Sequence, residues 1–312
     1  MKNIITFKRI KSNYNNVCYV NSIFALFLYL YINKGSDNTL FISHVDFKDV
    51  LEKSKLDNVI IVDSKRNENW DSLLYKLGVL RFDLTEYIRG KVFFGHDHIT
   101  YAFLFDLKNG SVLEDGIGNY NGQIPTLKKI KRAVKGRVIS PLGYDKRIMH
   151  VYLSKPEKAD PILCDKVVPF TIPDFLAYTR SCGLKLVFEN FSVELNNKNI
   201  LFTQPVSEAG IVSEIEKVRV YREIIDKYKI DIIKPHPRDY TDYSLFFECE
   251  IIDKYLPAEA MICPDGENIS LFTLNSTSLF NLKEVNDNID IHILLSDLHR
   301  DLHDWKKRKF KF

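Results

Sequence analysis

Hydrophobic and polar positions along the first half of the chain alternate between two periods. Short apolar runs of strand length ("NIITFKRI", "TLFISH", "NVIIVDS", "KVFFGHD", "YAFLFDL", "SVLEDG") are separated by longer segments with helical spacing. The helical ones are "VCYVNSIFALFLYLYI" (17–32), "VDFKDVLEKS", "WDSLLYKLGVLRFDLTEYI" and "TLKKIKRAVK". Strands of this kind alternating with helices predict a parallel sheet covered on both faces. Residues 17–32 are the most hydrophobic stretch. At 16 residues, with Asn21 and Ser22 inside it, the stretch is short for a span of roughly 20 residues and reads as a buried core helix.

The rhythm breaks after about residue 140. Pro141, Pro156, Pro161, Pro169 and Pro173 crowd a stretch that reads as a connection, with one helix near "DFLAYTRSCG". Alternation then resumes. "NILFTQP" is a strand that stops at Pro205, and "SEIEKVRVYREIIDKYK" is a helix with the Ser213/Glu216 capping-box pattern. Its expected apolar stripe is Ile215, Val218, Tyr221, Ile225 and Tyr228. "IDIIKPHP", "FFECEII", "AMICP", "ISLFTL" and "IHILLSDLHRDLHDW" complete the pattern. The expected organisation is α/β: a Rossmann-like domain over 1–160, a crossover over 161–195, and a second such domain over 196–312. Ligands of such sheets bind beyond the carboxyl ends of the strands. In a two-domain version that places the site in a cleft between the halves.

Charge changes this picture only at one end. The net charge is +3, and the terminal "KKRKFKF" (306–312) contributes five positive charges, which leaves −2 for the rest. A near-neutral body carries no nucleic-acid footprint. The tail mixes cations with Phe310 and Phe312, a composition suited to an anionic membrane surface. The cysteines are five and widely spaced (Cys18, Cys164, Cys182, Cys249, Cys263), with no zinc-type spacing. With no signal-peptide pattern at "MKNIITFKRI", they point to reduced thiols in a cytoplasmic protein, peripheral at most on the inner face of the membrane.

Three loops after strands carry candidate chemistry. In "SVLEDGIGNY", Glu114 and Asp115 precede Gly116; one carboxylate can face a reacting hydroxyl while the other caps a turn. In "IIKPHPRDY", Pro235 and Pro237 stiffen the backbone around His236. An imidazole held this way can hydrogen-bond a departing phosphate, and Arg238 can share the anion. In "FTLNSTSLF", Ser276, Thr277 and Ser278 offer hydroxyls and backbone N–H groups at a helix start, either as a phosphate cradle or as an ordinary cap. "GHDHI" adds His96 and His98, too few for a metal site. No D-x-D, G-x-G-x-x-G or P-loop pattern is present, so no carboxylate pair for a metal-bound sugar diphosphate and no dinucleotide site is expected.

The ordered set "EDG" (114–116), "LFTQPVSE", "KPHPRD" (234–239) and "STS" (276–278) resembles bacterial sialyltransferases of glycosyltransferase family 52, which act on lipooligosaccharide and capsule. The resemblance covers about residues 90 to 280. It implies a GT-B fold of two Rossmann-like doubly wound domains facing a cleft, the acceptor side in 1–160 and the nucleotide-sugar (CMP-sialic acid) side in 196–312. It also implies inverting, metal-independent transfer of sialic acid from CMP-sialic acid to a terminal galactose, with no cofactor. His236 would assist the departing CMP. Thr203, Gln204, Pro205, Lys234, Pro237, Arg238, Ser276, Thr277 and Ser278 would hold the donor, and Gly116, His96 and His98 would lie on the acceptor side. The base is left among Glu114, Asp115, Glu208 and Glu214, with Glu114 favoured. Family members can be dimeric, so a homodimer is a further expectation. A glucosyl- or Kdo transferase on the same scaffold and a non-catalytic glycan-binding subunit are the alternatives.

Overall fold

The computed structural model describes residues 4–8, 10, 13–63, 68–188, 195–261, 268–274, 279 and 288–294. The chain divides into two compact units, Met1–Phe191 and Ser192–Phe312.

The first unit contains strands β1 (Ile4–Lys8), β2 (Asn16–Tyr19), β3 (Thr39–His44), β4 (Val59–Val62), β5 (Val92–Gly95), β6 (Gly110–Leu113), β7 (Ile148–Leu153) and β8 (Val167–Pro169). Its helices are α1 (Ile23–Asn33), α2 (Lys48–Lys53), α3 (Glu68–Lys76), α4 (Leu84–Ile88), α5 (Thr126–Val134), α6 (Ile172–Tyr178) and α7 (Leu184–Val187). The strands form one sheet in the order β1-β4-β3-β2-β5-β6-β7-β8. All neighbours are parallel except β1, which closes the β4 edge antiparallel. The chain winds outward from β2 through β3 to β4, then returns to β5 on the other side. The reversal between β2 and β5 is the topological switch point of a doubly wound sheet.

Where sequence and structure differ, local chemistry explains it. Residues 17–32 are not one helix. Val17, Cys18 and Tyr19 lie in β2, and Ser22 caps α1 by accepting from the Ala25 N–H at 3.3 Å. Ala25 to Leu30 are all buried, which makes α1 a core helix covered on every side. Its cover includes residues 172–188 from the proline-rich stretch. Phe175 packs on Phe24 and Tyr31, Phe188 on Phe27, and a Cβ at Gly183 would stand 2.9 Å from the Phe27 ring. Between those prolines, β7 and β8 extend the sheet, a pair of strands the proline density had masked. "YAFLFDL" is no strand: Tyr101 is left-handed (φ 64°) and a short 3-10 turn spans Ala102–Leu104. The 70–88 helix is broken in two at Gly78 (φ 73°).

The second unit contains strands β9 (Asn199–Phe202), β10 (Ile232–Lys234), β11 (Glu250–Ile251), β12 (Ile269–Thr273) and β13 (Ile289–Ile293), with helices α8 (Glu214–Tyr228) and α9 (Ala258–Met261). The sheet order is β11-β10-β9-β12-β13, and every described pair is parallel. Winding again starts at the centre, at β9, and reverses between β9 and β12. Ser213 caps α8 by accepting from Glu216 N–H at 3.2 Å, as the capping-box pattern predicts. The buried face of α8 is Lys217, Val220, Tyr221 and Ile224, however, while Ile215 is 84% exposed. The face is rotated by one position because a lysine, neutralised by carboxylates, takes a core place. The chain is thus α/β throughout, each unit a mainly parallel, doubly wound sheet. No helix among the described residues is long and apolar enough to cross a membrane.

Candidate functional site

In the first unit the candidate side chains gather beyond the carboxyl ends of β2, β5 and β6, around the switch point. The His96 N–H extends the β2–β5 pairing by donating to the Tyr19 carbonyl at 2.9 Å. Gly95 makes this approach feasible: a Cβ there would stand 2.0 Å from the Tyr19 carbonyl oxygen. Side chains of an extended segment alternate in direction. His96 and His98 therefore turn to one side, with ring centroids 5.4 Å apart, and Asp97 to the other. Buried Asp97 accepts from the N–H groups of Leu142 (2.6 Å) and Gly143 (3.0 Å), pinning the loop before β7.

The adjacent acids after β6 also diverge. Glu114 points inward. Its carboxylate accepts from the Ser154 N–H at 2.6 Å and from the Ser154 hydroxyl at 3.0 Å. Burial raises its pKa above the ordinary value, against the lowering effect of Ser154, Tyr120 and Lys155. Asp115 points outward, with about a third of its side chain exposed. Its oxygens lie 3.6 Å from His96 Nε2 and 3.4 Å from His98 Nε2. Burial would raise its pKa, but a hydrogen bond from His98, the two imidazoles and a hydrogen bond from Ser22 at the head of α1 hold it below the usual range. Desolvation, only partly opposed by Asp115, drives His96 down to about 4, so its ring is neutral at pH 7. Both His96 nitrogens and His98 Nδ1 are buried without a hydrogen-bond partner among the described residues. Gly116 (φ 83°) turns the chain just after the acids, where an added Cβ would meet no described atom within 4 Å.

In the second unit the site follows β9 and β10. Asp239 is its anchor, although the sequence pattern assigns it no role. One oxygen accepts from the hydroxyls of Thr203 and, at 2.7 Å, Tyr243. The other accepts from the Thr241 N–H and Lys217 Nζ, each at 3.1 Å. Its own N–H donates to the His236 carbonyl at 2.8 Å. Thr203 passes the tie on, because its hydroxyl oxygen accepts from the His236 N–H at 3.2 Å. The His236 backbone is therefore fixed from β9 as well as by its two prolines.

The His236 ring has a defined hydrogen-bonding direction. Nδ1 accepts from the Arg238 N–H at 3.0 Å, so in the neutral ring Nε2 carries the proton. Desolvation, helped by Arg238 and Lys234 and opposed by Asp239 and Glu208, lowers the His236 pKa to about 4. The ring is thus a neutral donor at pH 7. Pro237 is half-buried and Arg238 is exposed beside it.

Glu208 and Glu214 are engaged elsewhere. Lys217 Nζ, fully buried, lies 3.0 Å from Glu208, 3.2 Å from Glu214 and 3.1 Å from Asp239. Glu208 also accepts from the Tyr240 N–H at 2.8 Å, and Glu214 from the hydroxyls of Ser207 and Thr241. Desolvation acts to raise both carboxyls, but these bonds and Lys217 hold both below the ordinary range. Lys234 is buried as well, its ammonium donating to the carbonyls of Pro235 (2.9 Å) and Lys254 (2.8 Å). The Gln204 N–H donates to the Tyr221 hydroxyl at 2.6 Å, and Pro205 follows half-buried. Ser276, Thr277 and Ser278 lie outside the described residues, as does the 306–312 tail. Among the described residues no three histidine, cysteine or acidic side chains are grouped to hold a metal.

A sequence signal for Lys217 and Asp239 exists in retrospect. Lys217 recurs with Val220, Tyr221 and Ile224 at helical spacing, and Asp239 closes the "KPHPRD" run. A lysine in a helix is by default read as solvated, which hides Lys217 from a hydropathy pattern.

An uncharacterized protein of Haemophilus influenzae is 33% identical over 204 residues, which is 61% of this chain and 65% of that protein. The chain thus spans about two thirds of the length of this relative. Among solved structures, a UDP-GlcNAc 2-epimerase from Methanocaldococcus jannaschii aligns over 95% of this chain and 92% of its own at 12% identity and a TM-score of 0.40. A putative UDP-N-acetylglucosamine 2-epimerase from Listeria monocytogenes aligns over 85% and 75%, at 12% identity and a TM-score of 0.42. The sequence profile of glycosyltransferase family 52 matches residues 47–298, well over half of the chain, and the protein belongs to that family.

Proposed function

We propose that the protein is a sialyltransferase that moves sialic acid from CMP-sialic acid to a terminal galactose of a bacterial surface glycan, with inversion and without a metal. Family membership supports glycosyl transfer. The observation that carries the finer reading is the His236 loop: a neutral imidazole whose Nε2–H is free to be the donor because Nδ1 is already occupied. In the reaction the bond between the anomeric carbon and the CMP phosphate oxygen breaks, and the galactose hydroxyl oxygen bonds that carbon. The electron pair leaves with CMP, and a fixed donor at the phosphate stabilises the charge as it develops. A single phosphate can be met by His236, Arg238 and backbone donors without a cation bridging two phosphates.

The hydroxyl proton needs a carboxylate that is ionised and reachable. Asp115 supports both conditions, since its pKa is held low and part of the side chain is exposed. Glu114 has its oxygens on Ser154, and Glu208 and Glu214 have theirs on Lys217. We therefore assign the base to Asp115, with His98 and Ser22 orienting it. The test is release of CMP on mixing the protein with CMP-sialic acid and a lactose-type acceptor in the presence of EDTA. Absence of turnover across a panel of galactosides contradicts the reading.

A further inference from the structure

Helix α5 is built inside out. None of its residues is buried, and its apolar positions face solvent: Leu127 is 82% exposed, Ile130 55% and Val134 59%. Their spacing of three and four places them on one stripe. Arg132 on the opposite side ties the helix to the turn that follows, and that turn is held to the protein. Arg132 Nε donates to the Val138 carbonyl, and the Ser72 hydroxyl to the Lys135 carbonyl. The chain end after α5 lies against α3 so closely that a Cβ at Gly136 would stand 2.9 Å from the Ser72 and Leu73 backbone. The helix therefore cannot roll its apolar stripe inward.

The charge along this segment is of one sign. Residues 126–137, "TLKKIKRAVKGR", contain six basic residues and no acid. Lys128 and Lys131 are exposed, Lys131 on the flank next to Leu127. An outward apolar stripe with flanking cations is the composition of a helix that lies in a membrane interface. Each cation near an anionic bilayer adds attraction, and long lysine stems let the ammonium reach lipid phosphates while the stripe enters the acyl boundary. A second copy of this chain on the same surface would bring twelve like charges together. A nucleic acid would leave the stripe with nothing apolar to cover it.

We propose that α5 and the turn that follows form a docking surface for an anionic lipid bilayer. This does not rest on the reaction proposed above, and it concerns residues other than the 306–312 tail. The test is co-sedimentation of the full chain with phosphatidylglycerol-containing phosphatidylcholine vesicles and with pure phosphatidylcholine vesicles, at low and high salt. The parent is expected to bind the anionic vesicles, less at high salt, and to ignore the neutral ones. Leu127→Ser/Ile130→Ser/Val134→Ser and, separately, Lys128→Glu/Lys131→Glu should each weaken partitioning by about 10-fold or more. Both sets should melt like the parent, because the altered side chains are exposed. The same α5 dependence should persist in a chain lacking residues 306–312 when compared at a vesicle concentration where that chain still binds. No binding by the parent, variants that bind like the parent in both backgrounds, or an apolar set that dissolves a dimer without changing lipid binding would each overturn the proposal.

Discussion

His236 carries more constraint than its side chain alone suggests. Pro237 biases its backbone toward an extended conformation, its N–H is taken by Thr203, its carbonyl by Asp239, and its Nδ1 by Arg238 N–H. What is left is one N–H at Nε2. His236→Ala removes that donor and should lower kcat by about 10²-fold while CMP binding is largely kept. A kcat within a few-fold of the parent would remove His236 from the reaction. At the opposite end of the mechanism, Asp115→Asn, Glu114→Gln and Glu208→Gln can be compared side by side. Only Asp115→Asn should collapse turnover while leaving CMP affinity intact. Glu114→Gln should act on stability, since it weakens the tie to Ser154. Collapse in Glu208→Gln with an undisturbed fold would move the base to the second unit. The divergence of Glu114 and Asp115 was legible in the sequence as a principle, since neighbours cannot both face one way. Which acid turned outward was not, because Ser154 sits in a stretch whose strand the prolines obscured.

At the scale of elements, the two sheets wind from their centres, and both described candidate loops follow interior strands. Strand–helix alternation sufficed to read this. The sequence misled where tertiary partners override pattern. The apolar run over 17–32 reads as one helix, yet β2 pairs with two neighbours before Ser22 can cap α1. The stripe on α8 is displaced because Lys217 is buried against three carboxylates, a choice that no hydropathy pattern encodes. That cluster joins α8, the loop after β9 and the His236 loop. Lys217→Met should leave three acids facing one another without their cation, at a cost of about 3–5 kcal/mol in chemical denaturation. The milder Asp239→Asn keeps the shape but loses the ion pair to Lys217. It should lower kcat more than it raises KM, since it loosens the Thr203–His236 tie. Unchanged kcat in a folded Asp239→Asn protein would make the network a stabilising feature only.

For the whole molecule, pH is the clearest lever. His96 and His236 are both held near 4, below the ordinary histidine value of 6.5. The unfolded chain therefore binds more protons than the native one between those limits. Stability should be fully present above about pH 6.5 and fall as pH drops toward 4. Glu114 and Asp97, whose pKa values are raised by burial, act in the opposite direction at the acid end of this window. Asp115, Glu208 and Glu214, held below the ordinary range, add to the loss at still lower pH, so the histidine contribution is read between roughly pH 6.5 and 5. Urea denaturation across this range checks it, and His96→Asn should flatten the dependence. A parent whose stability is level from pH 7 to 5 would show that these rings are not held neutral by the fold.

Donor identity and stereochemistry together decide whether this is an inverting sialyltransferase. A proton NMR time course of the protein with CMP-sialic acid and lactose, run in EDTA, reads both at once. The predicted result is CMP and sialyl-lactose appearing in equal amounts, with the first-formed product of α configuration, inverted from the β-linked donor. No transfer, transfer that stops when EDTA is added, or a β-linked first product would contradict it.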